Sequence, residues 1–271
     1  MNPMFETRMF GARALGARIA MAGWAASLGM AAYAQPGRGN TAPAPERPLS
    51  ARESARVDIT GYWVSVVTED WRWRMVTPRK GDYASVPLNR EGRRVADMWD
   101  PAKDEAAGLQ CKSYGAAALM RVPGRLHITW QDDNTLKVET DAGTQTRLFH
   151  FGANSKAGGE PSWQGYSVAS WEGSEGRGRA GAAREMRAGS LKVVTTNMRA
   201  GYLRKNGVPY SANANLTEFY DRTHEDNGDS WLIVTTIVDD PQYLQQPFIT
   251  STHFKLEKDG SKWHPTPCTS R

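Results

Sequence analysis

The chain has 271 residues and a formal net charge of +5 from 34 basic and 29 acidic side chains, which alternate along the sequence rather than cluster. Charge so dispersed makes no phosphate-neutralising face, so nucleic acid is not an expected partner. Two cysteines are too few for a structural zinc centre, and the five histidines form no i, i+2 or i, i+4 pair and no His-Glu-x-x-His, so no metal and no cofactor is expected.

Residues 1–34 carry Arg8, Arg13 and Arg18, then an apolar alanine-rich run, then Ala32-Tyr33-Ala34 before Gln35. This is the pattern of a secretory signal peptide with a small-x-small cleavage site, and it predicts a periplasmic or secreted protein of about 237 residues with no stable membrane span. Residues 35–56 are rich in Pro, Gly, Ala and charge without an apolar period, which predicts a disordered linker. Residues 57–271 are then one domain, with no fixed-period repeat to suggest a solenoid or propeller. In an oxidising compartment, Cys111 and Cys268 are expected to pair as a disulfide that tethers the C-terminal tail.

In chain order, Ile59–Val67 opens the domain as an aromatic and β-branched strand. Trp71–Val76 alternates Trp71, Trp73 and Met75 with Arg72 and Arg74, which predicts a second strand. Asn89 is a plausible cap for a short helix with Val95, Met98 and Trp99 at helical spacing, and Pro101–Gln110 allows another helical turn. Ala116–Arg121 reads as a short strand.

The clearest pattern is Arg125–Phe151, a meander of three antiparallel strands. A three-residue loop at Asp132-Asp133-Asn134 sets Trp130 against Leu136, Ile128 against Val138 and His127 against Glu139. A second loop at Asp141-Ala142-Gly143, with Thr140 opposite Thr144, carries the inner face through Thr146, Leu148 and His150 and leaves His127 outside. Gln164–Trp171 and Leu191–Met198 are further strands, separated by a Gly- and Arg-rich loop over 172–190, and Gly207-Val208-Pro209 turns the chain. Asn215–Arg222 and Ser230–Val238 form a hairpin whose Asn227-Gly228 turn pairs Tyr220 with Thr235 and Glu218 with Ile237. Phe248–Leu256 is the last strand. About nine strands against one or two short helices predict an all-β fold, a single antiparallel barrel of about eight to ten strands.

His150, Glu218 and His253 are of the right types for proton transfer if the fold brings them together; otherwise they serve as structural hydrogen-bonding groups. Glu218, Tyr220 and Arg222 either line a cavity or simply face water. Ten tryptophans are the main compositional oddity. Trp63, Trp73, Trp130 and Tyr220 are candidates to face an apolar or aromatic ligand, the alternative being that such rings fill the core. Gly176–Gly181 matches G-x-G-x-x-G but lacks a strand-to-helix setting, and Gly165–Ala169 falls short of a nucleophile elbow.

Gly61-Tyr62-Trp63 in the first strand, followed by consecutive hairpins, resembles the lipocalin-like, calycin-type barrels. Stretches such as Glu139–Arg147 and Arg204–Tyr210 are similar to those of uncharacterised exported bacterial proteins. The resemblance implies a barrel that binds a small hydrophobic or aromatic molecule in its interior. The alternative it leaves open is a cofactor-independent isomerase, hydratase or lyase using interior His and Glu residues.

Overall fold

Strands with a period of two bury one face each, and here nine of them close on themselves so that all inward side chains share one interior. The computed structural model describes residues 47–152, 159–173 and 189–271; the expected signal peptide, the linker up to residue 46 and most of the Gly/Arg-rich loop lie outside the described residues. The strands are β1 (Gly61–Val66), β2 (Arg125–Asp132), β3 (Thr135–Thr140), β4 (Gln145–Phe151), β5 (Tyr166–Glu172), β6 (Ser190–Thr196), β7 (Gly201–Arg204), β8 (Val208–Tyr210), β9 (Asn215–His224), β10 (Ser230–Asp239) and β11 (Phe248–Glu257). The closed barrel runs β1-β11-β10-β9-β6-β5-β4-β3-β2, with β7 and β8 as a separate hairpin. It is mixed rather than purely antiparallel, because β4 and β5 run parallel, with Phe149 opposite Ser167. A parallel pair needs a crossover, so the chain after Phe151 returns to the starting end of β4 before β5 begins.

The barrel is filled. Trp63, Ile128, Leu136, Val138, Phe149, Tyr220, Leu232, Val234 and Phe254 are all essentially inaccessible and belong to one apolar cluster. A second cluster joins rim residues of one barrel end, Leu216, Val238 and Phe248, to Tyr83, Leu88, Ala96, Ala116, Leu203, Val208 and Tyr210. That end is therefore capped by the helices α1 (Trp71–Arg74), α2 (Arg90–Asp97), α3 (Pro101–Ala106) and α4 (Ala116–Leu119), together with the β7–β8 hairpin. Asn89 caps α2 as its sequence predicts, its Oδ1 accepting from Gly92 N at 2.8 Å. At the other end Arg52 N donates to Asp133 O, and Trp171 Nε1 donates to Ala51 O, so the chain contacts the barrel well before β1. Cys111 and Cys268 are joined, closing a loop with a sequence separation of 157.

Five sequence expectations are corrected. Trp71–Arg74 is a helical turn, not a strand, which puts Trp71 in solvent and Arg74 in the interior of the cap. Ala116–Leu119 is a helix whose residues are all buried, so no polar face marks it, and its alanines favour helix on propensity. The β2–β3 register is as expected from Leu126 to Trp130, with His127 opposite Glu139, but a bulge after Trp130 sets Asp132 opposite Thr135, so the loop is Asp133-Asn134 rather than three residues, and β4 is displaced by one: Thr140 pairs with Gln145 and Leu136 with Phe149. The β3–β4 loop holds four residues, with Gly143 and Thr144 both at positive φ. Asp141 Oδ1 accepts from Arg125 N and Ala142 N, and the tail pairs along it, Thr266 N donating to Asp141 O. One residue of shift exchanges the faces, so Arg147 and Phe149 point in while Leu148 and His150 point out. The β9–β10 hairpin is likewise displaced by one, with Tyr220 opposite Val234 and Glu218 opposite Thr236. Its loop closes with Glu225 N donating to Asp229 O and with Gly228 at φ 86°, a three-residue turn rather than the two-residue turn that Asn-Gly suggested.

Candidate functional site

The displaced registers place Arg147 and Glu218 face to face inside the barrel. Arg147 Nη1 and Nη2 donate to Glu218 Oε1 and Oε2 at 3.0 and 2.6 Å, and Nη2 also donates to Thr195 Oγ1 at 3.0 Å. Tyr220 donates its hydroxyl proton to Glu218 Oε1 at 3.2 Å. Both charged side chains are wholly inaccessible. Burial works against the Arg147 charge, yet Glu218 and Tyr220 outweigh it and hold its pKa above the ordinary arginine value; burial, then Glu218, drives the Tyr220 phenol well above its own. The ion pair is sealed among apolar side chains, with Arg147 Nε left without a hydrogen-bond partner among the described residues, and a buried pair of this kind can fix how strands are oriented.

His150 and His253 do not join Glu218. His150 faces outward and stacks on Tyr166 with ring centroids 5.0 Å apart. His253, also on the outer face, lies 3.1 Å from Thr68 Oγ1 and 3.3 Å from Glu69 Oε2. Of the aromatic candidates, Trp63 and Tyr220 fill the core, with Trp63 Nε1 donating to Ile59 O at 2.9 Å. Trp130 packs with Phe151 and Trp171 beside a cavity of about 250 Å³ at the uncapped barrel end. Trp73 lines a larger one.

That larger cavity, about 460 Å³, lies in the cap. Its floor is the 3-10 turn Gln110–Tyr114 and α4, its walls are Trp73–Thr77 and Leu203–Lys205, and the disulfide-held tail supplies Thr266, Pro267 and Thr269. Its volume is typical of a site for a small organic molecule. Three buried arginines converge on it: Arg74, Arg121 and Arg204, exposed by 8%, 6% and 4%. Arg74 is satisfied, through an ion pair with Glu69 and a 2.9 Å bond from Nε to Arg121 O. Arg121 donates from Nη2 to Asp70 Oδ2 at 2.9 Å, but its Nη1 has no hydrogen-bond partner among the described residues. Arg204 donates from Nη1 to Ala84 O, while its Nε and Nη2 have none. Leaving such donors dry and unpaired costs about 1–3 kcal/mol each, more for charged groups.

Electrostatics tell the same story. Burial, then the charge of Arg121, pushes Arg204 down to about 10, and burial lowers Arg74 as well. The Arg204 guanidinium stacks 5.0 Å from the centre of the Trp73 ring, whose other neighbour is Arg72 at 5.1 Å. The Trp73 indole N–H holds Asp82 below the usual carboxylate range. Lys205 sits over the Tyr114 ring at the cavity edge and donates to Thr269 Oγ1 at 3.0 Å. Apolar surface from Met75, Val76, Ala118, Val122, Pro123 and Leu203 completes the lining. Such a chamber can hold an anionic group against Arg121 and Arg204 and an apolar body against the rest.

Trp73, a candidate from the sequence, lines this cavity, whereas the three arginines were not among the sequence candidates. Arg74 was placed on the polar face of a strand, and Arg121 and Arg204 gave no local signal because their burial depends on contacts distant in sequence. Among the described residues no group of three or more metal-ligating side chains is assembled, and no helix is long and apolar enough to cross a membrane. No family model matches the chain, and neither a curated protein nor a solved structure shows significant similarity to it.

Proposed function

We propose that this chain is an exported, lipocalin-like binding protein whose ligand is a small molecule with an anionic head and an apolar or aromatic body, held in the cap cavity. The observation that carries the reading is that buried Arg121 and Arg204, which both keep N–H groups without a hydrogen-bond partner among the described residues, line one cavity of about 460 Å³. The barrel and the disulfide support it, as do the signal-like leader and Gly61-Tyr62-Trp63. Titration calorimetry with decanoate, benzoate and inorganic phosphate tests it. Decanoate or benzoate should bind more tightly than phosphate, Arg204→Met should abolish binding, and Lys205→Ala, which serves if the first variant folds poorly, should weaken it. Equal, weak binding of all three probes, unchanged in both variants, would defeat the reading.

A second reading places a hydrophobic or aromatic ligand at the uncapped end of the barrel, where Trp130, Phe151 and Trp171 contact one another beside the cavity of about 250 Å³. Loss of binding in Trp130→Ala with Arg204→Met unaffected would select it.

A further inference from the structure

Between β1 and α2 the chain turns three apolar side chains outward. Trp71, Met75 and Val76 are 65%, 58% and 65% exposed, whereas the other exposed large apolar residues, Leu49, Met98 and Ile249, stand singly along the sequence. Trp71 and Met75 are four residues apart on the α1 turn and so share its outer face. Arg74 points the other way and clamps the turn to the cap through Glu69, Arg121 O and Ser65 Oγ, so the apolar face is held out by a buried anchor.

Cationic side chains stand beside this tip on its C-terminal side. Arg79 and Lys80 follow directly, exposed and without an ion-pair partner among the described residues, and exposed Arg271 borders the same surface recess as both, together with Asp100, which is paired with Lys103. Arg72 is neutralised by Asp82, and Glu69 and Asp70 are spent on Arg74 and Arg121, so the surplus on this face is positive. An aromatic and aliphatic tip beside basic side chains complements a bilayer with negative headgroups: the ring and thioether enter the interface while the cations meet phosphates. A second copy fits poorly, since self-pairing through this patch brings like charges together.

We propose that the Trp71–Lys80 segment docks this protein peripherally on an anionic lipid surface, with Trp71, Met75 and Val76 in the interface and Arg79, Lys80 and Arg271 on the headgroups. Met75 and Val76 are also wall residues of the cap cavity, so docking turns that cavity's rim toward the lipid. The surface argument is independent of what the cavity holds, and its test is separable from the one above.

The test is flotation of the full mature chain with vesicles of phosphatidylcholine alone or of phosphatidylcholine and phosphatidylglycerol in equal parts. Binding is expected only with phosphatidylglycerol, with a blue shift of tryptophan emission and weakening by salt. Trp71→Ser should lower partitioning by at least about tenfold, and Arg79→Glu with Lys80→Glu by a similar factor, with melting temperatures and decanoate binding unchanged. Absence of flotation, equal flotation on phosphatidylcholine, or undiminished flotation of Trp71→Ser overturns the proposal. So does a concentration-dependent dimer that Trp71→Ser dissolves. Failure of Arg204→Met to affect decanoate binding would sink the cavity reading and leave this one standing.

Discussion

Arg147 and Glu218 are inaccessible, bidentate and enclosed by Phe149 and Tyr220, so removing either partner strands a charge that has no route to water. Breaking a buried pair from one side costs about 3–5 kcal/mol, whereas replacing both members with apolar residues is often neutral. For a domain of this size each kcal/mol lowers the melting temperature by about 2–4 °C, so Arg147→Met and Glu218→Leu should each lower it by roughly 6–20 °C. The double variant leaves Ser167 and Thr195 bonded to one another at 2.8 Å and deprives the Tyr220 hydroxyl of its acceptor. That loss amounts to about 1–3 kcal/mol, so the double should be more stable than either single variant. Denaturant unfolding of all four proteins gives the coupling energy directly. A double variant as unstable as the two singles combined, or singles costing under about 1 kcal/mol, would refute the view that the barrel core is organised around a sealed ion pair.

Reducing the Cys111–Cys268 bond, or replacing Cys111 by Ser, should destabilise the protein by up to about 5 kcal/mol on the chain-entropy account for a loop of this length. It should also weaken decanoate binding, because the tail walls the cavity; unfolding curves and calorimetry with and without reductant check both. Gly207→Ala forces a Cβ to within 2.2 Å of Trp99 at φ 81°, while Gly108→Ala, at φ 67°, meets nothing within 4 Å. Unfolding should show a loss of about 1–2 kcal/mol for Gly108→Ala, from backbone strain alone, and a clearly larger one for Gly207→Ala. Anion affinity should be level near neutrality and fall as pH rises through about 10, where free Arg204 loses its proton. An anion beside the guanidinium favours the charged form, so binding above that pH takes up a proton and is penalised by its scarcity. Calorimetry on either side of that pH measures it, and Arg204→Met should remove the dependence.

How far the sequence carries depends on whether a signal is local. The strand positions were legible because alternation is a property of neighbours, and β2–β3 was legible to the register because Trp130, Ile128 and Leu136 leave no other pairing that buries them together. The next turn was not. Asp141-Ala142-Gly143 read as a complete three-residue loop, and nothing nearby says that Thr144 belongs to it. The reason lies more than 120 residues away, where Thr266 pairs beside Asp141 and Ala142, and Thr144 Oγ1 donates to Thr266 O. Gly143 is also pressed against Tyr114, where any Cβ would come within 2.2 Å of the ring. From that one residue follows the largest difference between sequence reading and structure: the interior receives Arg147 in place of His150. An arginine inside a barrel is unreasonable until Glu218 is seen opposite, and Glu218 turns inward only because the β9–β10 loop holds three residues rather than two. Two single-residue shifts, each improbable alone, bring an ion pair together. The three arginines of the cap follow the same logic in part, since Arg74 and Arg121 have carboxylates in Glu69 and Asp70 while Arg204 has only the carbonyl of Ala84. In the barrel the complementary charge is supplied by the chain; in the cap the chain supplies it to Arg74 through Glu69 and to Arg121 through Asp70, and Arg204 alone of the three has no ion-pair partner among the described residues.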